Sequence, residues 1–278
     1  MSERAEVGSR NETEARRPGV VVVLPMYNEA ASIASVLETS FRDLTGAGFD
    51  RVELLVVDDG SSDGCGQIAL RLATRLPVVV LTHPRNRGLG AALATGLGHA
   101  VRSASPGDII LTGETDQTQP SLKLAELAAA VADGADVAVA TPHACAGGFR
   151  GVPLHRRLLS QAANHVYRLL FPIPGLHDYT NLMRGFRARV LQEAFALYGE
   201  EALVDRRGFE SVPDILLKLR RLGPRVREIG VEIDFTNLGR ASSMSTLATT
   251  VRSLLNCVRH MTGGARPLRR ERGRDRVR

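Results

Sequence analysis

The 278-residue chain has no tryptophan, and aromatic residues make up only 4% of it. Its basic residues are not interleaved with aromatics and no nucleic-acid-binding motif is present, so nucleic acid is not an expected partner. Cysteine is scarce: Cys65, Cys145 and Cys257 are odd in number and widely spaced. That excludes a disulfide framework, and neither the cysteines nor the seven histidines show metal spacing. No apolar run approaches the ~18–20 residues that a membrane span requires. The polar N-terminus does not resemble a signal peptide, so the expected location is the cytoplasm, with peripheral contact at the inner membrane face left open.

What is present is an ordinary globular composition, 44% hydrophobic and 24% charged. The net charge of +6 is unevenly placed. Residues 262–278 carry seven arginines against Glu271 and Asp275, which is +5 and leaves +1 for the rest of the chain. That stretch reads as a basic disordered tail (263–278), with attraction to an anionic membrane as the second reading. Residues 1–18 lack periodicity and read as a disordered arm. Between them lies one expected domain, 19–262, with a first half (19–142) and a second half (143–262).

The first half alternates continuous β-branched runs with helical patterns. Strands are expected at Val20–Leu24 (ended by Pro25), Val52–Val57, Val78–Leu81, Ile109–Thr112 and Val137–Ala140. Strands this apolar, alternating with helices, predict an α/β fold with a mostly parallel sheet covered on both faces. Ligands of such sheets bind beyond the carboxyl ends of the strands. Three polar clusters fall there: Tyr27-Asn28-Glu29, Asp58-Asp59 and Glu114-Thr115-Asp116. Glu114 and Asp116 are two apart, so an extended backbone aims both carboxylates one way, a pairing suited to a hard cation such as Mg²⁺ or Mn²⁺ and through it to a diphosphate.

The second half is less regular. A Gly-containing loop is expected at 143–154, of the kind that closes over substrates. In the helix that follows, Leu159, Ala162, Ala163, Val166 and Leu170 form the expected core stripe, with Arg156, Ser160 and Asn164 as a polar stripe beside it. A last helix (247–261) gathers Leu247, Val251, Leu254, Leu255, Val258 and Met261. Packing on the domain is its expected role and lying in a membrane interface the alternative.

Taken in order, Pro25-Met26-Tyr27-Asn28-Glu29, Val57-Asp58-Asp59-Gly60, Asn86 with Gly88 and Gly90, the acidic triplet with Pro120, Arg156 to Ser160 with Asn164, Asp178, and Gly185-Phe186-Arg187 resemble a GT-A-fold glycosyltransferase of family 2. The likeness is nearest to polyprenol-phosphate (dolichol-phosphate) mannosyl- and glucosyltransferases and covers roughly Val20 to Leu255. It implies an inverting transfer from a nucleoside-diphosphate sugar (GDP- or UDP-hexose) to polyprenyl phosphate. Pro25, Tyr27, Asn28, Glu29, Asp58, Asp59, Gly88 and Thr115 would hold the donor. Glu114 and Asp116 would hold the metal, Asp116, Asp178 and Arg187 would act in catalysis, and Arg156, Arg157, Ser160 and Arg240 would meet the acceptor phosphate. Two further readings stay open: the same donor chemistry on a hydroxyl-bearing small acceptor, with Asp178 as base, and a nucleotide-sugar-binding protein without turnover. A dinucleotide dehydrogenase is set aside, because no glycine triplet follows the first strand.

Overall fold

The computed structural model describes residues 17–144, 147–236 and 246–263. In chain order it forms β1 (Val20–Met26), α1 (Ile33–Gly46), β2 (Val52–Asp58), α2 (Cys65–Leu72), β3 (Val78–Thr82), α3 (Leu89–Ser103), β4 (Ile109–Thr112), α4 (Leu122–Ala132) and β5 (Val137–Thr141). Then come β6 (Gly148–Arg150), α5 (Leu154–Leu170), β7 (Arg184–Arg187), α6 (Ala188–Tyr198), α7 (Glu200–Leu203), α8 (Ser211–Leu219), β8 (Val226–Gly230), β9 (Glu232–Asp234) and α9 (Thr246–Met261).

Seven strands make one sheet in the order β3-β2-β1-β4-β7-β5-β8, every neighbouring pair parallel except those of β7. The strand period divides the core. Val20, Val22 and Leu24 pack with Leu37, Leu44 and Leu127 on one face. Val21 and Val23 pack with Leu93, Leu97 and Phe195 on the other. Each such side chain contributes about 1.5–3 kcal/mol through burial, which is why both faces must be covered by helices.

The mostly parallel α/β expectation holds, with corrections in detail. β1 does not stop at Pro25. Val23 and Pro25 turn their backbone groups toward β4, whose last residue is Thr112, so the imide without an N–H lies where no ladder partner remains. Residues 184–187, which carry no strand pattern, form an antiparallel strand inserted between β4 and β5. The loop expected at 143–154 contains β6, which pairs with β9 in a second, two-stranded sheet.

The stripe assigned to α5 is a core stripe only in part, with Val166 packed against the core and Ala163 half-buried. Leu159, Ala162 and Leu170 are exposed, while Asn164 and Tyr167 are buried. In α9, Leu255, Val258 and Met261 likewise point outward, with Asn256 and Cys257 buried. The side chains of Leu247, Val251 and Leu254 lie outside the described residues, as do Arg240 and the expected arm and basic tail beyond Arg17 and Gly263.

Candidate active site

A cleft of about 1060 Å³ opens over the carboxyl ends of β1 and β4. Its floor follows from two strands stopping at different heights. Gly113 donates its N–H to the carbonyl of Val23, and Thr115 donates its hydroxyl to the carbonyl of Pro25 (3.0 Å), which sets the 113–118 turn against the end of β1.

Glu114 and Asp116 lie on this turn and converge on one hydroxyl. Thr118 Oγ1 is 2.7 Å from Glu114 Oε2 and 2.9 Å from Asp116 Oδ1, and the Thr118 N–H also meets Asp116. Burial, and then the charge of Asp116, push the Glu114 carboxyl up to about 7. Two carboxylates repelling each other in a low dielectric are relieved when a cation binds between them. The oxygen-only donor set fits Mg²⁺ or Mn²⁺. Among the described residues no third His, Cys, Asp or Glu joins them.

Pro25, Tyr27, Glu29, Asp59, Gly88 and Thr115, expected at the donor, line the cleft. Asn28 and Asp58 stand behind it and build its rim. Asn28 adopts a left-handed backbone (φ 56°) and accepts the Ser62 N–H, while Asp58 accepts the Ser61 N–H. Asp59 organises the next loop: it contacts His83 Nδ1 at 2.6 Å and accepts the N–H groups of Arg87 and Gly88. Gly90 has a specific task. A Cβ there would stand 1.6 Å from the carbonyl oxygen of Arg206, and the Gly90 N–H donates to Arg207. This glycine thus serves close approach of a second-half segment, 204–210, whereas helix–sheet packing is the task of Gly96, over Val23.

That 204–210 strap supplies cleft residues that the motif reading missed, among them Arg206, Arg207 and Phe209; Arg87 and, from α9, Arg252 were missed too. A cluster of charges holds the strap. Lys218, 1% exposed, reaches the carbonyls of Ala202 and Leu203 and the carboxylates of Asp205 and Asp214. Arg259 pairs with Asp205 and His260 with Asp214 (2.7 Å), so α9 is tied to the same two acids. Burial opposes ionisation of Asp205, but Arg259 and Lys218 prevail and hold it down at about 2. Lysine beside a helix pattern gave no sequence signal for this role.

Of the residues expected at the acceptor, Arg156 and Ser160 of α5 line the cleft together with Leu159 and Ala163. Arg157 does not line it; its guanidinium stacks over Phe149 at 5.1 Å. Asp178 does line it, almost fully buried. Its Oδ1 accepts from Asn164 Nδ2, the Thr180 N–H and hydroxyl, and the Asn181 N–H. The expectation for Arg187 is corrected. It ends β7 opposite Ile109, the first residue of β4, which puts it at the opposite end of the strands from Asp116. There it donates to the Val131 carbonyl and faces Asp136. The arginine that β7 brings under the site is Arg184, 1% exposed, donating to the carbonyls of Tyr179 and Val212. Burial lowers it to about 9, with Asp178 opposing that shift, so it stays charged at neutral pH.

The sequence profile of Glycosyl transferase family 2 matches residues 21–195. The chain is 30% identical to a polyprenol monophosphomannose synthase of Mycolicibacterium smegmatis, over 86% of this chain and 87% of that one. It is 28% identical to a dolichol-phosphate mannosyltransferase of Pyrococcus furiosus, over 61% of this chain and 45% of the longer relative. Among solved structures it resembles glucosyl-3-phosphoglycerate synthase from Mycobacterium tuberculosis, crystallised with Mn²⁺, UDP and phosphoglyceric acid. That match has a TM-score of 0.58 at 20% identity and covers 86% of this chain and 78% of that one, a likeness of fold.

Proposed function

The chain belongs to Glycosyl transferase family 2, and from that premise we propose that it transfers a hexosyl group from a nucleoside-diphosphate sugar to a polyprenyl phosphate, with inversion and with a divalent cation. One observation carries this reading. A single cleft is lined by a paired-carboxylate turn and by Arg156, Arg206 and Arg252 together with the apolar side chains Leu159, Leu182 and Phe209. Cations beside an apolar wall suit an acceptor with a phosphate head and a hydrocarbon tail. The names of the two relatives point the same way.

In this mechanism Tyr27, Glu29 and Asp59 receive the nucleoside, and Arg156 and Arg206 hold the acceptor phosphate. One of its ionised oxygens attacks the anomeric carbon. The bond from that carbon to the diphosphate oxygen breaks as the new one forms, and the electron pair leaves with the nucleoside diphosphate. Glu114 and Asp116 would hold the cation, which when bound neutralises charge on the departing diphosphate. No proton need be removed from an ionised phosphate. This accords with Asp178, whose Oδ1 already accepts four donors and organises the 178–181 turn.

The test is a radiolabel panel of UDP- and GDP-hexoses with Mn²⁺ or Mg²⁺, with and without a short prenyl phosphate. Butanol-extractable label dependent on the prenyl phosphate is the expected result. Slow donor hydrolysis without lipid product would move the acceptor to a hydroxyl compound. Nucleotide binding with neither transfer nor hydrolysis would favour a binding protein.

A further inference from the structure

Of the chain's seven histidines, all of them described, His83 alone is buried, at 5% exposure, and it does not line the cleft. Its place follows from the end of β3. That strand stops at Thr82, and the N–H of His83 donates to the Asp58 carbonyl (2.8 Å), which carries the pairing with β2 one residue further. The ring is then held from both sides. Nδ1 lies 2.6 Å from Asp59 Oδ1, and Nε2 lies 2.9 Å from Thr95 Oγ1 on α3. A buried imidazole with both nitrogens engaged and no access to the cleft acts through its neighbours.

Those neighbours decide which nitrogen carries the proton. Asp59 Oδ1 also accepts the Arg87 N–H, and Oδ2 accepts the Gly88 N–H at 2.7 Å, so this carboxylate serves throughout as an acceptor. Nδ1 must therefore donate, and in the neutral ring Nε2 accepts the Thr95 hydroxyl. The segment behind Asp59 and the loop after β3 lie directly against each other. A Cβ on Gly60 would stand 2.4 Å from the Arg85 carbonyl carbon, and the Asp59 side chain bridges the two segments. Asp59, Asn86, Arg87 and Gly88 all line the cleft.

We propose that His83 is a positioning residue for the donor pocket: its Nδ1 proton fixes Asp59, and through Asp59 the 86–88 stretch of the rim where the nucleotide binds. The inference rests on the nucleoside-diphosphate donor proposed above. Without the Nδ1 donor, Asp59 (3% exposed) keeps a buried oxygen short of a partner and loses its fixed orientation toward the loop.

The experiment is calorimetric titration of the full chain with GDP and with UDP in the presence of Mn²⁺, without acceptor. Two amide variants separate the ring nitrogens. Asparagine sets its NH₂ group where Nδ1 stands, whereas glutamine carries it out toward Nε2. His83→Gln is expected to weaken nucleotide binding by roughly tenfold, the scale of an orphaned buried acceptor, and His83→Asn to stay within about threefold of wild type. In the radiolabel assay the donor KM follows the same order, while the KM for prenyl phosphate does not move. Nitrogen NMR of the wild-type imidazole adds a readout that no variant's folding affects, with the proton expected on Nδ1. Wild-type affinity in His83→Gln would overturn the proposal. So would an equal loss in both variants that tracks melting temperature, which reduces His83 to packing, or a ring proton on Nε2 alone. A wild type that binds neither nucleotide overturns the donor reading and this inference with it, an outcome distinct from any change confined to the variants.

Discussion

The strand-end rim that we propose as the donor rim and the helical wall that we propose as the acceptor wall of the same cleft are built on opposite principles. At the donor rim, parallel strands buried on both faces stop, and whatever polar residue comes next stands over the cleft or just behind it. Tyr27, Asp59 and Glu114 are positioned by backbone hydrogen bonds between β1, β2 and β4. At the acceptor wall, helices and a strap are held by side chains: Lys218 with Asp205 and Asp214, Asn164 with Asp178, Arg184 with two carbonyls. A site on strand ends tolerates changes of side chain without losing shape. One assembled by buried charges does not.

Asp116→Ala sharpens that contrast most. Turnover is expected to fall by roughly 10³ or more, since the proposed mechanism would lose a carboxylate that holds the cation against the diphosphate, while circular dichroism and melting stay near wild type. Unchanged turnover would remove the acidic pair from the mechanism. Lys218→Met is the converse experiment on the acceptor wall. Leaving Asp214 buried with a partner missing costs about 3–5 kcal/mol, read by urea unfolding, and an unfolding midpoint equal to wild type would show that the strap is held otherwise.

Arg187→Ala, at the opposite end of the strands from Asp116, is expected to cost about 1–2 kcal/mol from its lost carbonyl bond and partner Asp136, with kcat unchanged in the radiolabel assay. A large kcat loss without destabilisation would restore it to the catalytic group.

The smallest effect is a pH dependence. The folded pKa of Glu114, about 7, lies above its ordinary value of 4.5. Between these values the folded chain holds a proton that the unfolded chain has released, so stability declines as pH rises through that window. Without divalent cations, wild type should lose a few degrees of melting temperature relative to Glu114→Gln between pH 4.5 and 8, about the size of a kcal/mol effect. Mn²⁺ should restore it at pH 8. Parallel melting curves for the two proteins would remove Glu114 from the titration.

Legibility from the sequence divides along the same line as the two walls. Val20 to Leu24 and Val52 to Val57 announce buried strands by composition, and the acidic triplet sits where such a strand must end; local chemistry suffices for both. For α5, hydrophobic periodicity placed Val166 against the core but left Leu159, Ala162 and Leu170 in the open. Period shows that leucines share a face but cannot show whether that face meets a core or lies open. β7 escaped notice because Arg184-Gly185-Phe186-Arg187 has only four residues and one large apolar side chain, and its strand form depends on β4 and β5 to either side.

The amino-acid order alone therefore determined the alternation of strand and helix, the sheet covered on both faces and the paired carboxylates just past a strand end, because each follows from residues within a few positions of one another. Only the tertiary structure decided that Arg206 and Phe209 enter the cleft, that Arg184 is the buried arginine and Arg187 the remote one, and that α5 and α9 turn their leucines outward. Those outcomes depend on contacts between residues dozens of positions apart, where burial and pairing are set by the assembled chain.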